Sequence, residues 1–106
     1  MSFTGTWHIY EMSGWDEDYF NMDVQAYIKI ERNGLGCFQF GLVWGEIDGK
    51  VVDYAGDKRF EFTWEGNDEC DHACGSGWVR LKEEDLLEGE FRLHKGDDST
   101  FSARWA

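Results

Sequence analysis

Two cysteines flank a histidine in the segment NDECDHACGSGW, residues 67–78. Thiolate and imidazole groups are the ligands that zinc prefers, usually four of them in a tetrahedron. In an extended segment, Cys70, His72 and Cys74 would project to the same side, because successive side chains of a strand alternate. The spacing therefore raises the hypothesis of a zinc site at these three residues.

The same segment has a simpler interpretation, a solvated acidic loop with incidental thiols. It supplies three good ligands, and the fourth would come from Asp71, His94 or Asp97. Its Cys-x-x-x-Cys spacing is not the Cys-x-x-Cys of redox-active pairs. Zinc is therefore a hypothesis that needs structural confirmation, and we expect no other cofactor.

Residue types suited to hydrolysis occur near the C-terminus, where His94 precedes Asp97, Asp98 and Ser99. A catalytic site needs a base, a nucleophile and an oxyanion-stabilising group together. The sequence has no nucleophile-elbow motif here, and glycine, aspartate and serine are also typical turn residues. We interpret the segment as a turn and do not predict an enzyme.

The chain of 106 residues has the length of one domain, which we place at residues 1–106. Its residues are 42% apolar and 17% aromatic, enough for a packed core. Ten basic against 22 acidic residues give a net charge of −12. This charge argues against nucleic acid or an anionic membrane as a partner. The sequence does not indicate which oligomeric state the protein has.

The three cysteines are an odd number, which does not suit the disulfide framework of a secreted protein. The N-terminus has no basic region followed by an apolar run. No apolar stretch approaches the roughly 20 residues of a membrane span. We therefore expect a cytoplasmic protein.

Apolar and polar residues alternate through most of the chain, a period of two that is typical of half-buried strands. Trp7 and Ile9 share one face, and Phe60, Phe62 and Trp64 repeat the pattern. The alternation predicts eight strands, at residues 3–12, 22–32, 35–47, 50–54, 58–65, 76–83, 86–95 and 99–105.

Turn signals separate the predicted strands. Asn33 with Gly34, and Asp48 with Gly49, are typical of two-residue hairpins, because type I′ turns need positive φ at both positions. Short connections pair consecutive strands as a meander. Closure into a barrel covers the apolar face and removes exposed edges, so we predict an all-β, up-and-down antiparallel barrel.

Connections in such a barrel alternate between its two ends. The two long ones, residues 13–21 and 66–75, fall at the same end, which we call the mouth. Loops on a rigid scaffold frequently carry binding residues. The ligand-binding residues expected around the mouth are Trp15, Tyr19, Phe20, Trp44, Trp78 and His94.

The opening FTGTW, residues 3–7, resembles the Gly-x-Trp start of the calycins, which include the lipocalin, fatty-acid-binding and avidin-like barrels. The resemblance implies that Trp7 lies at the closed end and that a basic residue of the last strand, here Arg104, packs across it. Chain order also places the two together, because the first strand begins where the eighth ends. An arginine over an indole would contribute roughly 0.5–2 kcal/mol.

Three functions remain open at this point. We favour a module that binds a small apolar or aromatic ligand at the mouth. The alternatives are a structural or protein-interaction barrel with a solid core, and a metal site in the loop 70–74. An eight-stranded barrel is either filled by side chains or holds one small ligand. The volume left inside the barrel therefore distinguishes a ligand-binding module from a barrel with a solid core.

Overall fold

The computed structural model describes residues 3–106, which fold into a closed barrel of eight antiparallel strands. The predicted fold class is confirmed. The strands are β1 (Gly5–Met12), β2 (Tyr27–Ile30), β3 (Leu35–Phe40), β4 (Val43–Tyr54), β5 (Asp57–Asp68), β6 (Asp71–Glu83), β7 (Leu86–Leu93) and β8 (Asp98–Trp105). A four-residue helix, α1 (Glu17–Phe20), lies between β1 and β2.

Each strand pairs with its neighbour in chain order, and β8 pairs with β1 to close the barrel. The connections near Trp7 are residues 31–34, 55–56 and 84–85. The connections at the mouth are residues 13–26, 41–42, 69–70 and 94–97. Within residues 3–106, no helix has the length and apolar character needed to cross a membrane.

Large aromatic rings pack together inside the barrel. Phe38 and Phe40 of β3 approach Phe91 of β7, with ring centroids 4.6 and 5.2 Å apart. Phe91 also stacks on Phe101 of β8 at 4.5 Å. Each of these rings is at most 2% exposed, and an aromatic side chain buries roughly 150–250 Å². Aromatic burial therefore stabilises the barrel from within.

Glycines stand opposite the aromatic residues of the neighbouring strand. Phe62 of β5 pairs with Gly49 of β4 on one side and with Gly77 of β6 on the other. A Cβ at Gly77 would lie 2.5 Å from the Phe62 ring, and one at Gly49 would lie 2.7 Å from the Phe60 ring. The rings thus occupy the space that inward side chains would need, and only backbone covers the rings at both glycines.

The predicted turn at Asp48 and Gly49 is wrong, because β4 runs unbroken through both residues. The chain reverses instead at Gly41, which has a φ of +58°. Gly49 allows a close approach of the neighbouring strand: a Cβ there would lie 2.5 Å from the Glu61 carbonyl oxygen and 2.7 Å from the Phe60 ring. Glycine is used here for space rather than for a turn.

Two other predicted boundaries change. The segment 66–75, predicted as a long loop, is mostly strand, and β5 and β6 are joined by a tight turn in which Glu69 has a φ of +57°. The strand predicted at residues 22–32 is shorter, at Tyr27–Ile30. As a result, only the connection 13–26 is long among the described residues.

The predicted stacking of Arg104 on Trp7 is also wrong. Trp7 faces inward, is 1% exposed, and donates its indole N–H to the Phe3 carbonyl at 3.0 Å. The Arg104 guanidinium lies over the Tyr10 ring, 4.2 Å from its centroid. Because neighbours along a strand face opposite sides, it is Trp105 that meets Trp7, edge to face at 4.9 Å.

Candidate ligand-binding groove

Three of the predicted mouth residues do lie together at the mouth. Trp15 stacks with Tyr19 at 5.9 Å between ring centroids, and lies 5.0 Å from the Phe40 ring. Phe20, the last residue of α1, is 2% exposed and belongs to the core. These side chains fill the mouth rather than lining an opening.

Hydrogen bonds fix this segment to the rim of the barrel. The Gly41 N–H donates to the Phe20 carbonyl at 2.9 Å. On the opposite side, the Ser13 N–H donates to the Thr100 carbonyl at 3.0 Å, and the Thr100 N–H donates to the Ser13 hydroxyl at 2.9 Å. A ligand could enter the barrel here only if the segment moved.

The Tyr19 hydroxyl contacts the rim of the barrel, and its surroundings there shift its pKa. Burial raises the pKa of Tyr19 above its usual value of 10.0, and the charges of Asp68 and Glu69 raise it further. A hydrogen bond from the Leu42 N–H, 3.4 Å away, acts in the opposite direction. Tyr19 is therefore neutral at neutral pH.

Two predicted mouth residues face the outside of the barrel instead. Trp44 is 43% exposed, because the chain reverses at Gly41 and Val43 becomes the inward residue. Trp78 lies within β6 between Gly77, which faces the Phe62 ring, and the fully buried Val79, so its indole points outward.

The cysteine and histidine residues are spread along one edge of the mouth. Cys70 is exposed in the β5–β6 turn, and His72 Nε2 lies 3.4 Å from Glu65 Oε2. His94 is exposed, and its N–H donates to the Cys74 carbonyl at 2.8 Å. In residues 3–106, no three His, Cys, Asp or Glu side chains are grouped to hold a metal ion. The zinc hypothesis stays a prediction.

A groove of about 590 Å³ opens on the outer face of the barrel across β4 to β7. We call it the central groove. Its volume falls within the roughly 300–1,000 Å³ that is typical of ligand pockets. Its lining residues are Asp48, Gly49, Lys50, Glu61, Phe62, Thr63, Ser76, Gly77, Trp78, Glu90 and Arg92.

Strand pairing sets the outward lining residues in two rows. The first row is Lys50, Glu61, Trp78 and Glu90. The second row is Asp48, Thr63, Ser76 and Arg92. Directly opposed side chains on neighbouring antiparallel strands have Cβ atoms about 4.5–5.5 Å apart. An indole therefore lies between two carboxylates, beside a pair of adjacent hydroxyl groups.

The depth of the central groove follows from the glycines described above. Gly49 and Gly77 line it and have no inward or outward side chain, so their backbone forms part of its floor. Phe62 lies directly beneath and also lines the groove. Phe62 is only 4% exposed, so the floor that faces outward is the backbone of the two glycines, with the buried ring beneath it.

Arg59 holds the Trp78 indole in place. Its guanidinium lies 4.0 Å from the ring centroid of Trp78 and 4.0 Å from that of Tyr54. Its Nε is buried and has no hydrogen-bond partner among residues 3–106, so the two rings account for its position. Each such contact stabilises by about 0.5–1 kcal/mol at an exposed site, and together they restrict the indole.

A second groove, of about 530 Å³, adjoins the central groove at Trp78. We call it the β8 groove. Its lining residues are Glu11, Met12, Ser13, Trp78, Glu88, Gly89, Thr100, Phe101 and Ser102. Hydroxyl and carboxylate groups again surround a small apolar area.

Sequence reasoning identified Trp78 but not its neighbours. The neighbours occupy outward positions of their strands, and they are Glu61, Ser76 and Glu90. In a sequence, polar residues at such positions normally indicate an ordinary solvent-exposed face. The sequence feature that could have indicated the groove is the pair of glycines that face aromatic residues across the sheet, because a glycine inside a strand often marks a close approach.

No family model, curated protein or solved structure matches the chain.

Proposed function

We propose that this protein is a non-catalytic binding module, and that its ligand is a small molecule with an apolar ring face and hydrogen-bonding groups. The site is the central groove rather than the mouth. The observation that carries the proposal is the outward Trp78 indole, held by Arg59 between Glu61 and Glu90 at the side of a groove of about 590 Å³. Aromatic surface with a few placed polar groups is typical of ligand sites.

Each part of the groove has a role in this binding. The Trp78 ring offers apolar contact to a ring face, above a floor of glycine backbone that covers the buried Phe62. Glu61 and Glu90 accept hydrogen bonds, and the Thr63 and Ser76 hydroxyls both donate and accept. The groove is therefore suited to a ligand whose polar groups lie at the edge of a ring.

The proposal is tested by heteronuclear NMR titration of the ¹⁵N-labelled protein with p-cresol and phenyl β-glucoside. We expect saturable shifts of the Trp78 indole N–H and of the amides of Ser76 and Glu90. A ligand of this size should bind with a Kd of roughly 1 mM. Trp78→Ala should abolish the shifts.

Two variants are matched controls for Trp78→Ala. Trp44→Ala removes another outward indole that does not line the groove, and Tyr54→Ala removes the other ring that contacts Arg59. Trp44→Ala should retain binding, and Tyr54→Ala should weaken it less than Trp78→Ala does, because Arg59 keeps its contact with the indole. Shifts confined to Trp15 and Tyr19 would return the site to the mouth, and no shifts with either probe would reject small-ligand binding.

A protein-interaction barrel is the second candidate. The exposed apolar side chains Leu35, Val51 and Tyr54, each 45–53% exposed, lie on β3 and β4 towards the Trp7 end. Exposed apolar groups of this kind can form an interface. Cross-linking of the protein in cell extract, compared with Val51→Lys, tests this candidate: unchanged adducts would reject it.

The calycin resemblance and the cytoplasmic location belong with these proposals. The buried Trp7 indole supports the resemblance, whereas the place of Arg104 over Tyr10 departs from it. The free thiols of Cys37, Cys70 and Cys74 support a reducing compartment. Fractionation of the native source, probed with an antibody, tests the location.

A further inference from the structure

We infer that the ring-bearing ligand is one unit of a neutral oligosaccharide, which passes over Trp78 and occupies the central groove and the β8 groove together. This inference rests on the proposed function of the central groove. It names the ligand class and extends the site across β7 to β8.

The first support is that the two grooves adjoin at Trp78. Trp78 lines both of them. Its cross-strand partner Glu90 is paired in turn with Thr100 of β8, which lines the β8 groove. The path from Glu61 through Trp78 to Thr100 spans three strand spacings, about 14 Å, which exceeds the size of a single six-membered ring.

The second support is the chemistry of the lining. The polar groups along this path include the carboxylates of Glu61 and Glu90 and the hydroxyls of Ser76 and Ser102. Carboxylates accept hydrogen bonds from sugar hydroxyls, and serine and threonine hydroxyls exchange them in both directions. The Trp78 ring offers an apolar face to the C–H face of a sugar ring. Repeated hydroxyls with apolar ring faces match this pattern.

The third support is charge. The three carboxylates of the central groove, from Asp48, Glu61 and Glu90, are balanced by Lys50, Arg92 and the Arg59 guanidinium on the Trp78 ring, so the groove offers no excess of cations to an anionic sugar. The whole chain carries −12. Such a field disfavours sulfated or uronic-acid chains, so the sugar chain that fits is uncharged.

The test is isothermal titration calorimetry with two neutral series, maltose to maltohexaose and cellobiose to cellohexaose. In at least one series, affinity should rise tenfold or more with length, because additional units reach the second groove. Ser102→Trp fills the β8 groove and should bring the hexasaccharide to the affinity of the short sugars, with p-cresol binding unchanged. Trp78→Ala should lower hexasaccharide affinity at least tenfold.

The outcomes separate this inference from the proposed function. If p-cresol and phenyl β-glucoside bind the central groove but no oligosaccharide gains affinity with length, the oligosaccharide inference is overturned and the proposed function stands. If the single-ring probes do not bind, both fall. Length dependence that survives Ser102→Trp, in protein with wild-type circular dichroism, would also overturn the inference.

Discussion

At the scale of the residue, aromatic rings and glycines act as pairs across neighbouring strands. The Phe60 ring fills the space above Gly49 and the Phe62 ring that above Gly77, so each glycine is required by a ring and a backbone carbonyl of neighbouring strands rather than by its own backbone angles. At the same glycines, only backbone separates the core from the outer face beside Trp78. Core packing and the groove therefore depend on the same few residues.

Gly77→Ala tests this pairing. The added Cβ would lie 2.5 Å from the Phe62 ring and 2.4 Å from the Glu90 carbonyl oxygen. We expect the free energy of unfolding to fall by about 1–3 kcal/mol in urea titrations, as overpacking does. Gly96→Ala, whose nearest contact is the Leu93 side chain at 3.2 Å, is the matched control and should lose less. Equal losses would argue against the pairing.

The place of Arg104 is tested by two double-mutant cycles. Arg104→Ala and Tyr10→Ala should be coupled by about 0.5–1 kcal/mol, because the guanidinium lies on the Tyr10 ring. Trp7→Ala should cost about 3–5 kcal/mol, as for a buried aromatic residue, and should add to Arg104→Ala. Coupling with Trp7 and not with Tyr10 would restore the arrangement implied by the calycin resemblance.

At the scale of the element, the alternation of apolar and polar residues predicts most strands of the barrel, and the wrong predictions have local causes. The pattern through Phe60, Phe62 and Trp64 predicted β5 because each ring faces inward. The turn at Asp48 and Gly49 was mispredicted because this dipeptide is favourable in turns, whereas its glycine is needed where the Glu61 carbonyl and the Phe60 ring of β5 leave no space for a Cβ. Sequence periodicity records which side a residue faces, not what approaches it from another strand.

The same limit explains the groove. An outward Glu61 or Ser76 looks solvated in sequence, and only strand register brings it beside Trp78. The mouth was predicted more successfully, because Trp15, Tyr19 and Phe20 are close in the chain. Their packing nevertheless closes the mouth, which the sequence does not show.

The α1 segment should weaken at high pH through Tyr19. Its pKa is raised in the folded protein, so above pH 10 the unfolded chain loses this proton first and the free energy of unfolding falls. Tyr19→Phe lacks this titration. We expect the stability advantage of the wild type over Tyr19→Phe in urea titrations to shrink between pH 9 and pH 11. A constant difference across that range would contradict the role of Tyr19.

At the scale of the whole molecule, like charges face each other on the outer surface. Ten basic side chains cannot pair all 22 acidic ones, and Glu46 of β4 stands directly opposite Glu65 of β5. Repulsion of this kind favours solubility and weakens the compact state. The filled interior supplies the opposing stabilisation.

Glu46→Lys tests the balance at one pair. It should raise the free energy of unfolding by about 0.2–1 kcal/mol, because an opposite-charge pair replaces a like-charge one. Glu46→Gln, which only removes the repulsion, should gain less. The difference between the two variants should shrink in 1 M NaCl, where exposed charges are screened. A loss of stability in both variants would contradict this account.

We place the ligand site on the outside of a barrel whose interior is filled with aromatic rings, and this placement is the central claim. It is tested most directly by isotope-filtered NOE spectroscopy of ¹³C,¹⁵N-labelled protein with unlabelled phenyl β-glucoside. We predict NOEs from the ligand to Trp78, Thr63 and Ser76, with none to Phe38 or Phe91. Ligand NOEs to Phe38 and Phe91, deep in the barrel, would contradict it.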